Sequence, residues 1–139
     1  MDIPAGPVWV TLVYMGIYYW TQVRILQIKT RLRGEYKARD EKFDRYFGQD
    51  REMLAADRVQ LNMLEHMPPF LILMWLTAFL ASPMEATVAG GIYTASRVVY
   101  PFIMGGRLGR GVPNRILLAT ATGYLVLAFF VVRIVMGIV

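Results

Sequence analysis

The chain has 139 residues, 56% of them hydrophobic, and a mean hydropathy of +0.42, with apolar runs long enough to cross roughly 30 Å of hydrocarbon. That makes it an integral membrane protein, and its net charge of +5 then reports topology and attraction to anionic lipid, not nucleic acid. With no cysteine, disulfides, thiolate metal sites and a protein-borne thiol nucleophile are excluded, so thiol chemistry must arrive with a ligand; one histidine cannot build a multi-histidine metal site.

The predicted elements form one all-α domain, 1–139, without internal repeat. The first span, 7–27, lacks a basic start and runs too far for the apolar core of a cleavable signal, so it reads as a retained helix. A long connection, 28–58, follows. Within it, 36–47 reads as helix, with Lys37/Glu41 and Glu41/Arg45 four residues apart and Phe43, Tyr46 and Phe47 on one side. Such a segment lies against headgroups or a neighbouring subunit, or caps a ligand. Spans two, three and four cover 59–81, 84–106 and 116–136, broken at Ser82 and Pro83 and around 105–113. All four should be helical, because the bilayer supplies no partner for unpaired backbone groups. Lys and Arg crowd the connection after span one, and Arg107 and Arg110 follow span three, while Asp2, Glu85 and Arg133 fall on the other side. The positive-inside rule places both connections in the cytoplasm and both termini opposite.

Polar residues inside the spans carry the functional signal. At 100° per residue, Arg58, Asn62 and Glu65 fall within about 60° on one helix face. Ionisable groups in a span cost several kcal/mol and usually face a bundle interior or an aqueous cavity. Two signs of charge beside an amide suit a small zwitterionic ligand. Glu65 lies about 10 Å deeper than Arg58, and Arg97 about 12 Å inside the loop end of span three, so the sequence predicts Glu65 and Arg97 paired or bridged. Such a pair serves a site or merely fixes helix register.

Tyr93, Arg97, Tyr100 and Met104 make a stripe along span three. Tyr93 and Met104 read as packing, whereas Tyr100, one turn from Arg97 and followed by Pro101, is a candidate hydrogen-bond donor. Arg115 opens span four after a turn-rich 111–114 with Asn114 as N-cap. A cation beside a helix N-terminus lowers a bound thiol's pKa; the alternative is a topology anchor snorkelling to lipid phosphate. His66 reads as an interior or interfacial polar group.

These motifs bear a resemblance to one family. Arg58, Asn62 and Glu65, followed by Pro68 and Phe70, resemble the signature of the MAPEG family, the membrane-associated proteins in eicosanoid and glutathione metabolism. Segment 21–24, ending in Arg24, is similar to its first-helix arginine motif, 95–100 to its third-helix motif, and Pro113, Asn114 and Arg115 to the start of its fourth helix. The resemblance implies an integral membrane four-helix bundle assembled as a homotrimer, with glutathione between subunits near the cytoplasmic face and a lipophilic small molecule entering from the bilayer. By the same resemblance, Arg24, Arg58, Asn62 and Glu65 contact glutathione, Arg97 and Tyr100 line the cleft, and Arg115 activates the thiol. The implied activity is a glutathione-dependent transferase or peroxidase acting on a lipophilic electrophile. Relative to the prostaglandin-forming branch, the chain departs at Leu61, Ile116 and Ala119, and where some relatives carry a second third-helix tyrosine it has Met104. The alternatives are a non-catalytic subunit or adaptor of a larger membrane complex, or a lipid-binding protein.

Overall fold

The computed structural model describes residues 3–107 and 114–139, with side chains in the last helix described from Ile116 onward. Among the described residues there are four helices and no strand: α1 (Ala5–Ala38), α2 (Arg51–Leu80), α3 (Pro83–Met104) and α4 (Asn114–Ile138). α2 and the stretch Ile116–Ile138 are long and apolar enough to cross a membrane. α1, 34 residues long, and α2, 30, reach about 50 and 45 Å at 1.5 Å per residue, so both outrun the hydrocarbon.

Helical structure therefore fills most of the predicted 28–58 connection, and the link itself is only 39–50. Arg31 ties the two extensions, donating to Glu35 at 2.8 Å and pairing with Glu52 of α2; those carboxylates hold its guanidinium pKa above the usual value, led by the Glu52 hydrogen bond. Tyr36 donates its hydroxyl to Asp50 at 3.1 Å, which raises the phenol's pKa. Asp50 also caps α2, accepting from the backbone N–H groups of Glu52 and Met53.

The helix expected over 36–47 does not form. α1 stops at Ala38, and Asp40 adopts φ 57°, the left-handed region that Asp tolerates. Lys37/Glu41 and Glu41/Arg45 pairs contribute only about 0.2–0.5 kcal/mol each, and a bidentate bond from Arg45 to Asp57 of α2, 2.8 Å on both arms, replaces them. Asp44 then closes a turn, accepting from the N–H groups of Tyr46 and Phe47, and the Phe47 bond chiefly keeps its carboxyl below the usual range. Tyr46 and Phe47 project outward, 85% and 88% exposed.

The core is aromatic. Phe70 of α2 stacks on Tyr93 of α3 with centroids 4.0 Å apart and lies 5.0 Å from Tyr14 of α1 and 6.5 Å from Phe130 of α4. Tyr14 donates to the Met63 carbonyl at 2.9 Å, joining α1 to α2. Gly90 lets α3 approach closely, since a Cβ there would meet the Met74 sulfur at 2.8 Å and Val10 at 3.1 Å. Among the described residues α1 and α4 touch α2 and α3 but not each other, so they flank that central pair. Outward faces carry Trp9, Leu12, Trp20, Leu118 and Leu125. A surface so apolar is at home in lipid. Truncating Phe70 to alanine should cost about 3–5 kcal/mol through the cavity it leaves; unfolding in mixed detergent micelles measures this, and a loss under about 1 kcal/mol would deny Phe70 its central role.

Candidate functional site

The buried face of α2 carries Val59, Met63 and Phe70, which cluster about 120° around the helix from Arg58 at 100° per residue. Asn62 lies about 80° from that direction and is half-buried; Arg58 and Glu65 lie further round, at about 120° and 140°, and are exposed. Among the described residues, neither Arg58 nor Glu65 has an ion-pair partner or a side-chain hydrogen bond.

This azimuth overturns the expected pairing of Glu65 with Arg97. Arg97, 1% exposed, donates instead to the Asn62 Oδ1 at 2.8 Å from one arm. Its other arm donates to the Ala119 carbonyl at 3.3 Å, and its Nε reaches the Ser96 hydroxyl at 3.4 Å. The guanidinium carbon sits 4.9 Å from the Tyr93 ring centre, a cation–π contact. Depth alone did not separate Asn62 from Glu65, which are one turn apart; the direction of the core does.

Gly123 of α4 is the residue that sequence reasoning missed. A Cβ there would fall on the Arg97 guanidinium, so only glycine leaves it room. A glycine in the middle of an apolar helix was the available signal, and it does not say what fills the space. Glu85 and Arg133, placed on the same side by the charge pattern, join in a bidentate pair at 2.5 and 2.9 Å across α3 and α4.

Tyr100 is buried in a cluster with Val59 of α2 and Ile116 and Ala119 of α4, with Met104 packed alongside. Tyr93 sits in the core against Phe70, as packing. Arg24, half-buried, leans over Trp20 at 5.7 Å and lines a narrow crevice with Thr21, Glu52, Ala55, Val59 and Gly105. Among the described hydrogen bonds none joins it to Arg58, Asn62 or Glu65; of the predicted set, only Asn62 and Arg97 are directly bonded to each other. His66 is half-buried, edge-on to Tyr124 with centroids 5.4 Å apart. The Asn114 cap and the Arg115 side chain lie outside the described residues; Arg115 is placed only as part of the first turn of α4.

Four helices with an aromatic core, apolar flanks and a polar patch along one side of α2 define a helical membrane bundle. The model of the MAPEG family matches residues 7–136, nearly the whole chain, and the chain belongs to that family. The family is membrane-bound and includes glutathione transferases and peroxidases. A comparison with curated proteins finds no match.

Proposed function

We propose that the chain is a glutathione-dependent membrane transferase or peroxidase acting on a lipophilic electrophile. The supporting observation is that Arg58 and Glu65 stand exposed on one face of α2 beside half-buried Asn62, with no ionic partner among the described residues. Glutathione answers this pattern. Its carboxylates suit Arg58 and Arg24, its ammonium suits Glu65, and its amide groups suit Asn62. Tyr100 lines the same region, with Arg97 behind Asn62. A homotrimer in which a neighbour closes the site near the cytoplasmic face is part of the reading.

Arg115, in the first turn of α4, is assigned to the thiol. A guanidinium beside a helix N-terminus stabilises the thiolate, whose sulfur lone pair attacks either an electrophilic carbon, expelling the leaving group, or a hydroperoxide O–O bond, releasing an alcohol. In the peroxidase case a second glutathione displaces hydroxide from the oxidised sulfur, giving the disulfide and water.

One observation favours a non-catalytic subunit: Ile116 and Ala119, both buried, surround Tyr100 with apolar atoms. Thermal unfolding of the detergent-purified protein separates the two readings. Glutathione at 100 times its dissociation constant should stabilise the native state by about 2.7 kcal/mol, whereas no shift at millimolar ligand supports the adaptor.

A further inference from the structure

From the contacts of Arg97 we infer that this residue is a positioning residue: it fixes the Asn62 carboxamide so that its NH2 group faces the ligand, making Asn62 a reader of an acceptor oxygen, carboxylate or peptide carbonyl, on the bound tripeptide. This rests on the glutathione reading above. Arginine carries five donors and no acceptor. The atom of Asn62 that receives its arm at 2.8 Å is therefore the oxygen, on chemical grounds alone. The carboxamide is planar, so once its oxygen is held inward the nitrogen turns toward the face where Arg58 and Glu65 are exposed. No described hydrogen bond uses that nitrogen.

The guanidinium is itself held on every side. The Ala119 carbonyl takes an N–H of its other arm and the Ser96 hydroxyl its Nε–H, the Tyr93 ring covers one face, and Gly123 leaves the space it fills. Among the described residues no carboxylate pairs with it. A buried cation compensated only by neutral acceptors is an expensive way to pack two helices, and an apolar side chain of similar volume often does that better. What an apolar residue does not do is dictate which end of a neighbouring amide faces out. Without that control the amide turns by half a revolution and offers an acceptor where the ligand also has one.

Wild type, Arg97→Met, Arg97→Lys and Asn62→Asp, each purified full length in detergent, are titrated with glutathione by calorimetry and melted without it. Arg97→Met is expected to melt no lower than wild type yet bind glutathione about tenfold more weakly. Arg97→Lys, which keeps a donor, recovers part of the loss. Asn62→Asp gives Arg97 a carboxylate partner, so it melts no lower than wild type, but it has lost both amide donors and binds at least about tenfold more weakly. Wild-type affinity in Arg97→Met or in Asn62→Asp overturns the inference while glutathione recognition stands. Should Arg97→Met fail to fold, the lysine and aspartate variants decide. No binding by wild type removes the glutathione reading, and this inference with it.

Discussion

Arg115→Ala is expected to lower turnover about 100-fold or more at neutral pH, the scale seen when one preorganised charge or donor at a reacting centre is removed, while glutathione affinity changes by less than about threefold. The asymmetry follows from where Arg115 acts. It occupies the first turn of α4, where the backbone N–H groups also favour an anion, and on the proposed reading its charge is assigned to the sulfur rather than to the ends of the tripeptide. A cation lowers a thiol's pKa, so removing it raises that pKa, by an amount worth about 1.4 kcal/mol per unit. The deficit should therefore shrink as pH rises through the free thiol's range and bulk hydroxide completes the deprotonation. Steady-state rates across pH check this. Unchanged turnover would take Arg115 out of the chemistry.

Glu65→Ala should act in the opposite way, weakening glutathione binding about 100-fold while the ligand-free protein melts nearly as before. Losing one partner of a desolvated charge pair costs about 2–5 kcal/mol, much of it from stranding the other charge. On the proposed reading the stranded group is the ligand's ammonium, since Glu65 is exposed and makes no ion pair among the described residues. Glu65→Gln, keeping shape and an acceptor oxygen, should fall between. Calorimetric titration of the three proteins gives the comparison, and equal affinities would mean that the carboxylate serves something other than the tripeptide.

Helices and their order were legible because apolar runs of span length leave no other backbone solution in a bilayer. Their ends were not. Charged residues 28–38 and 51–58 read as a polar connection, yet Arg31 with Glu35 and Glu52 carries both helices beyond the hydrocarbon. The 36–47 segment shows the converse: i,i+4 spacing promised a helix, and a bond from Arg45 to Asp57, twelve residues along the chain, decided otherwise.

At the candidate site, the face bearing Arg58, Asn62 and Glu65 was visible from helical spacing, and so was the depth of Arg97. Depth is a one-dimensional coordinate, and choosing between Asn62 and Glu65 needed the azimuth of the buried face. Val59, Met63 and Phe70 would have supplied it. Gly123 was illegible for a different reason, because its meaning lies wholly in a guanidinium delivered from α3.

If exposed charges on α2 capture glutathione, an experimental structure of the purified protein in lipid with glutathione present will show it. Ligand density is expected beneath a neighbouring subunit, with carboxylate oxygens about 3 Å from the Arg58 and Arg24 guanidinium groups and the ammonium against Glu65. An assembly in which Arg58 and Glu65 are bonded to each other or to an adjoining helix, with no tripeptide beside Asn62 at saturating glutathione, would contradict it.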